Sequence, residues 1–436
     1  MLNSPHVLWL SILFLGLSCA GVHTEKPPAP GQFTRDTLDI VDRFENTLAG
    51  KLLHLAIQDI QATSRDDRFQ IVDAHWRKLK QSLDISKLSA GNKHQLRLLE
   101  YLWQSERSKS DIGKTGTERP YMETLELESS ISADAADFSQ QAYNKLSTLH
   151  DKIRLLTATP ENMSLRSIFE ATRNNPENYL ANTHAGRQKY LDLIVDSLMK
   201  NARLIPVLYA VKHSEFILEG DDNPEANLLF IYDTAAKTLS IDLGDMSQLP
   251  LYEVDSIASY YGVPGMHTIS SIEPSEIQSM ISIPGYAGGW ASYITSSLNY
   301  PLLFQHPDSE LTRAYFEAMR VSLAIADISL HTKNWSLERA TEFVIGSSPY
   351  PVTRLKKSIL AANQSPGIFS AVLLTSLEFE NLQEQSNRIL KQDFILSEFH
   401  HTVLNPGLLP FPELQKVVAD WTKQKMQLNK TCCPDQ

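Results

Sequence analysis

Cysteine is scarce: only Cys19, Cys432 and Cys433 occur in 436 residues, which excludes a disulfide-built scaffold and leaves the core to ordinary burial. Positive charge is in the minority. With 40 Lys and Arg against 51 Asp and Glu, a formal charge of -11 and no basic run, the chain offers no field for a phosphate backbone, so no nucleic-acid partner is expected. Long apolar runs are missing too. Val7 to Leu17 is too short to span a bilayer comfortably, and nothing after it is apolar for long enough to be a second anchor. The sequence holds no glycine-rich nucleotide loop, nucleophile elbow, zinc-finger spacing or HExxH string. What remains is 42% hydrophobic and 21% charged, an ordinary globular composition that suits two or three units or one large helical body.

Val7 to Leu17 has the length of a signal-peptide h-region, and Ser18, Cys19, Ala20 and Gly21 are small residues suited to cleavage. Residues 1–24 are therefore expected to be an export signal, although no Lys or Arg precedes the apolar stretch. Gly16-Leu17-Ser18-Cys19 loosely resembles a bacterial lipobox, which makes Cys19 a candidate lipid anchor; plain cleavage and release is the alternative. Either outcome places the mature chain in the periplasm, the cell envelope or the medium, with membrane attachment only through a lipidated Cys19. Residues 25–33 are rich in proline and suit an extended tether. Residues 424–436 read as a polar tail. Its adjacent Cys432 and Cys433 would form a strained ring if bridged to each other, so no redox or metal role is expected of them.

Between these ends the pattern is helical. Phe138, Ala142, Leu146, Leu149, Ile153 and Leu156 recur at steps of three and four and predict one face of a long amphipathic helix ending before Pro160. Tyr190, Leu193, Ile194 and Leu198 predict another, with Thr183 as its N-cap. The polar stretch from Ser108 to Pro120 is the expected joint. Leu228 to Tyr232 and Leu239 to Leu243 flank a short polar turn and read as a β-hairpin. Helical patterning then resumes, broken at Pro264-Gly265, Pro284-Gly285, Pro366-Gly367 and Pro406-Gly407. The expected fold class is mainly α with a small β-hairpin or sheet, divided into an N-terminal helical region over 34–160 and a second helical module over 161–423.

Candidate chemistry concentrates in the second module. Arg320, Asp327 and His331 stand at i, i+7 and i+11, so on a helix they project from one face, with Asp327 and His331 as i, i+4 neighbours. A carboxylate beside an imidazole can hold a tautomer, raise basicity or support a metal ligand; equally, such a cluster can simply stitch helices together. His400 and His401 point about 100° apart on a helix, so one at most faces a given site.

Leu249-Pro250-Leu251-Tyr252-Glu253, followed by Tyr260-Tyr261-Gly262-Val263-Pro264-Gly265-Met266-His267, resembles the bacterial domain of unknown function 885 family, whose hallmark is LPxYE followed by HExxPGHHxQ. Further blocks fall in the family's order: Gly288-Gly289-Trp290-Ala291-Ser292-Tyr293 is similar to EGWAxY, Arg320 through Asp327 to His331 to RAxRLVVDTGxH, Pro366-Gly367-Ile368-Phe369 to PGQA, and Phe399-His400 with Val403-Leu404, Gly407 and Pro410 to FHxxVLxxGxLP. The resemblance covers about Ser164 to Trp421 and implies a helical zinc metallopeptidase-like body.

The departures fall on the chemistry that the resemblance implies. A zinc peptidase needs imidazole and carboxylate ligands, an open position for water and a general base. The first His and the Glu of the family motif are matched here by Tyr260 and Tyr261, one of its paired histidines by Met266, and only His267 remains. The EGWA glutamate is matched by Gly288, the tyrosine after PGQA by Val372, the second Arg of RAxRL by Leu323 and the closing Gln by Ile269. The expectation is therefore an exported, non-catalytic relative that needs no metal or cofactor and binds a peptide or protein partner, or serves as an envelope scaffold. Its binding residues would be Tyr260, Tyr261, Arg320 and Trp290, the two tyrosines forming a cleft floor. The alternative is an active hydrolase in which His267, Asp327, His331 and His400 hold zinc or perform acid–base chemistry.

Overall fold

Apolar residues at helical spacing, with few prolines to interrupt them, set most of the architecture. The computed structural model describes residues 10–12, 48–63, 67–82, 88–115, 120–158, 163–203, 213–221, 228–297 and 309–432. Most of the segment read as an export signal, Cys19 and the tether at 25–33 lie outside the described residues. The chain opens with helices α1 (Leu48–Ala62), α2 (Arg68–Ser82) and α3 (Ala90–Thr115). The polar stretch from Ser108, expected as a joint, instead continues α3 to Thr115, because no proline removes a helical N–H before Pro120.

Helices α4 (Tyr121–Ser129), α5 (Ala135–Leu156), α6 (Leu165–Asn174) and α7 (His184–Ala202) follow. In α5 the Asp134 carboxylate accepts from the N–H groups of Ala136 and Asp137 at 2.8 and 3.0 Å and caps the helix. Phe138, Ala142, Leu146, Leu149 and Ile153 are buried as their spacing predicts, whereas Leu156 at the last turn is 37% exposed. Thr183 caps α7, its hydroxyl accepting from Gly186 N at 3.2 Å.

The predicted hairpin forms. Strand β3 (Phe230–Asp233) pairs antiparallel with β4 (Thr238–Asp242), and the Asp233 carboxylate closes the turn by accepting from Ala235 and Ala236 N, both at 2.8 Å. The sequence pattern did not reveal β2 (Phe216–Asp221), which lies parallel to β4, Leu218 opposite Leu239. Three residues of the N-terminal apolar stretch, β1 (Leu10–Ile12), pair antiparallel with the other edge of β2, giving the order β1-β2-β4-β3.

The remaining helices are α8 (Val254–Tyr261), α9 (Met266–Ser270), α10 (Pro284–Ser297), α11 (Ser309–Thr332), α12 (Leu337–Ser347), α13 (Val352–Gln364), α14 (Ser370–Leu390), α15 (Leu396–Leu404) and α16 (Phe411–Cys432). Pro284-Gly285 starts α10 rather than breaking the chain, since proline fits the first turn of a helix. The fold is mainly α with a small sheet. Among the described residues no helix is long and apolar enough to cross a membrane.

Two buried apolar clusters fill the interior. One joins α4–α8, the sheet and α11–α13; the other joins α1–α3 to α10 and α14–α16, so each draws on both the 34–160 and the 161–423 stretches. Helix α10 stands between them. Its Tyr286, Trp290, Tyr293 and Ile294 enter the second cluster while Ala291 faces the first. Its glycines face α14 at close approach: a Cβ on Gly289 would lie 2.3 Å from Thr375 Cγ2. That contact places the family-pattern positions of α10 directly against α14.

Candidate functional site between helices α8, α10, α11 and α14

Three of the positions where the chain departs from the family pattern, Tyr260, Gly288 and Val372, come together in space. Tyr260 closes α8, Gly288 lies on α10 and Val372 in the first turn of α14; a Cβ on Gly288 would meet the Tyr260 hydroxyl at 2.9 Å and Val372 Cγ2 at 3.0 Å. A glutamate side chain at 288 has no room unless the phenol moves. Arg320 on α11 completes the group. Its guanidinium lies over the Tyr260 ring, 3.8 Å from the centroid, and Nη2 donates to the Tyr260 hydroxyl. Burial pushes the Tyr260 phenol up and the Arg320 charge pulls it back only in part, so the phenol stays neutral.

A cavity of about 30 Å³ adjoins this group, lined by Ser256, Ser292 and Ser376 as polar neighbours, by Lys145, Arg313, Glu317 and Arg320 as charged ones, and by Phe316, Val321, Val372 and Leu373. That volume is about one water's share of liquid, far below the few hundred Å³ of a small-molecule site. Of the four expected binding residues, only Arg320 lines it. Tyr260 is buried and packs edge-to-face on Tyr261 and Phe316. Tyr261 is half-buried and stacks on Phe230 at 5.8 Å. Trp290 is fully buried, its Nε1 donating to Pro264 O at 3.0 Å, so it holds the Pro264-Gly265 turn and touches no cleft. The expected aromatic cleft floor is corrected accordingly: apolar rings are drawn into the core because burying them is worth more than lining a wet groove.

The donors of the alternative hydrolase site do not converge. His267 is fully buried against the sheet, with Nδ1 2.8 Å from the Tyr232 hydroxyl and Nε2 3.0 Å from Ser214 O. Since Ser214 O can only accept, Nε2 carries the proton and Nδ1 accepts from the phenol. Burial pushes this imidazole down to about 4. His400 Nε2 is 2.9 Å from the Tyr293 hydroxyl, deep in the second cluster. Asp327 and His331 are neighbours, 3.9 Å apart, and both are committed elsewhere. Asp327 Oδ1 accepts from Gly367 N and Oδ2 from Phe369 and Ser370 N, all at 3.0 Å, which anchors the Pro366-Gly367 turn and caps α14. Burial nevertheless pushes its carboxyl up against these three bonds. His331 Nε2 lies 3.1 Å from Ala362 O, and its ring stacks on Tyr121. Among the described residues no three His, Cys, Asp or Glu side chains gather as metal ligands. The residues present do not fit a zinc ion.

The motif reading missed one ion pair. Glu253, from the LPxYE-like block, is fully buried and receives Arg354 Nη1 at 2.6 and 2.7 Å and the Tyr190 hydroxyl at 3.2 Å. Burial pushes the Glu253 carboxyl up, while Glu253 holds Arg354 above its ordinary value. These two tendencies oppose each other for the carboxylate; with both oxygens accepting from Nη1, the ionised form is the one the geometry serves. Nothing in the sequence pairs Glu253 with a residue so far along the chain.

This arrangement, helices around a small mixed sheet with motif residues committed to turns and caps, defines a mainly α protein with a packed interior at its would-be centre. The chain belongs to the family described as Bacterial protein of unknown function (DUF885), whose model matches residues 46–418. The kinship thus reaches through the N-terminal helices, beyond the Ser164 to Trp421 stretch that carries the motifs. The fold is similar to that of a protein from Colwellia psychrerythraea described as a "putative lipoprotein", with 17% identity, a TM-score of 0.62, and 85% of this chain and 70% of that one covered. It is also similar to a "putative lipoprotein of unknown function" from Shewanella oneidensis, at 13% identity and a TM-score of 0.52, covering 86% and 82%. At such identities the likeness is one of fold. No curated protein matches the chain.

Proposed function

We propose that this protein is an exported, envelope-associated member of its family that performs no hydrolysis and acts as a scaffold for a peptide or protein partner. The observation that carries the reading is the filling of the centre: the Tyr260 hydroxyl and Val372 occupy the space that any side chain at Gly288 would need. A metal-hydroxide mechanism needs converging ligands, an open coordination position and a base, and this centre holds a neutral phenol under a guanidinium instead. The apolar Val7 to Leu17 stretch and the descriptions of the two similar structures as lipoproteins support placement in the envelope.

Elemental mass spectrometry of the mature protein, produced with zinc present, tests the reading. Substoichiometric zinc that His267→Ala and His331→Ala leave unchanged is the expected result. One metal per chain, lost in those variants, would overturn it in favour of a hydrolase with rebuilt ligands. Cell fractionation tests the placement: Cys19→Ser should release a lipid-anchored protein from membranes, and recovery in the cytoplasm would exclude export.

A further inference from the structure

Two polar atoms at the wall of the small cavity are buried without a hydrogen-bond partner: Nε of Arg320 and Oγ of Ser256, the latter on a residue only 3% exposed. A guanidinium N–H can only donate, and a serine hydroxyl can donate, so both atoms lack an acceptor. Leaving such groups unmade is costly, most of all for a charged one.

Charge points the same way. Among the described residues Arg320 has no carboxylate partner; its guanidinium is met by the ring and hydroxyl of neutral Tyr260. The other charged residues at the wall are Lys145, Arg313 and Glu317. Lys145 is held by Glu317 at 3.0 Å and by Glu380 at 2.7 Å, which compensates that cation. Arg313 lies in the field of Glu310 and Glu317, so among the described lining residues Arg320 is the cation met by neutral groups. A water could accept from Nε but would leave the Arg320 charge in place.

We propose that the cavity is a binding site for a single carboxylate group, which accepts from Arg320 Nε and from the Ser256 hydroxyl and neutralises the Arg320 charge. The planar guanidinium matches a planar carboxylate, which can take two parallel N–H donors where a tetrahedral anion fits less closely. Lys145 and Glu317, whose side chains are 18% and 20% exposed, mark the approach from solvent. The apolar wall of Phe316, Val321 and Leu373 suits the carbon next to the headgroup. The site needs neither a metal nor hydrolysis, so it stands whichever way the zinc measurement falls.

Isothermal titration calorimetry on the mature chain tests this, with sodium acetate, the tripeptide Ala-Ala-Ala and its C-terminal amide as probes at constant chloride. The expected result is saturable binding of a carboxylate probe that weakens about tenfold or more in Arg320→Gln and about threefold or more in Ser256→Ala, with melting temperatures confirming that both variants fold. Binding of the tripeptide acid but not its amide or acetate would identify a peptide C-terminus; equal binding of acetate would identify a free small acid. Both outcomes uphold the site. Absence of binding by acetate and by the tripeptide acid, displacement by chloride at equal concentration, or unchanged affinity in the variants would overturn it. Should Arg320→Gln fail to fold, Ser256→Val, which adds bulk to the wall, replaces it and should abolish binding.

Discussion

Helix α11 brings two charged side chains into the same interior, two turns apart, with opposite outcomes. Asp327 gives both oxygens to three backbone N–H groups at 3.0 Å and organises the start of α14. Arg320, nearer the cavity, spends its charge on a neutral phenol and keeps a buried N–H without an acceptor. The first is a satisfied network of the kind that specifies a core; the second is a polar group the fold tolerates. Motif residues shared with the family thus stand where backbone geometry depends on them, at Asp327, Pro264 and Gly367, and in the buried ion pair of Glu253. Three of the differences, Tyr260, Gly288 and Val372, meet at one point in the interior.

If that contrast is right, stability should respond steeply on one side and weakly on the other. Glu253→Ala or Arg354→Ala should each cost about 3–5 kcal/mol by urea unfolding, because either leaves a fully buried charge unpaired, while Glu253→Leu with Arg354→Met should cost less than either single change. A double variant as damaged as the singles would show that the residues act separately. Asp327→Ala should cost about 3 kcal/mol by orphaning three N–H donors, two of them buried. Proteolysis within the segment 365–371 should then accelerate, and an intact turn would count against the capping role.

His267 sharpens the contrast through pH. Its folded value, near 4, lies below its unfolded one near 6.5, so the unfolded chain binds the proton first and stability falls as pH drops from about 6.5 to about 4. The loss from this group is about 3 kcal/mol in full, and the slope in that window should shrink in His267→Gln. An unchanged slope would mean that the imidazole protonates freely in the folded state.

The crowded centre predicts smaller effects. Gly288→Glu, which restores the family residue, should destabilise by about 1–3 kcal/mol through overpacking, and Tyr260→Ala should relieve part of that cost in a double-mutant cycle. Additive effects would place the two residues apart. Smallest of all, Arg320→Met should change stability by about 1 kcal/mol, since the loss of its contacts with the Tyr260 and Phe316 rings and of its hydrogen bond to the Tyr260 hydroxyl is offset in part by removing one unmade buried hydrogen bond. A loss as large as that of Asp327→Ala would erase the distinction between the two ends of α11.

The long helices were legible because each must bury one face: the spacing of Phe138 to Ile153, the Thr183 cap and the β3–β4 hairpin all stand where local pattern puts them. Strand β2 was not legible, since among the described residues it pairs with β1, far back in the chain, and with β4, which is not the strand that follows it. The site divides in the same way. Ordered motif blocks located Tyr260, Gly288, Arg320 and Val372, but the serine at 256 and the lysine at 145 carry no motif. They matter only because α5 and α8 pack against α11.

By itself the sequence determined the helical class, the hairpin, the family and the replacement of the implied ligands, because each depends on residue identity and on neighbours a few positions away. The tertiary structure alone decided that Tyr260, Gly288 and Val372 meet at one point, that Asp327 caps a helix instead of supporting a ligand, and that Trp290 is a buried tie and not a binding surface. Those outcomes rest on distances between groups separated by tens to hundreds of residues. Such distances are set by how two apolar clusters close around α10, which no local spacing encodes.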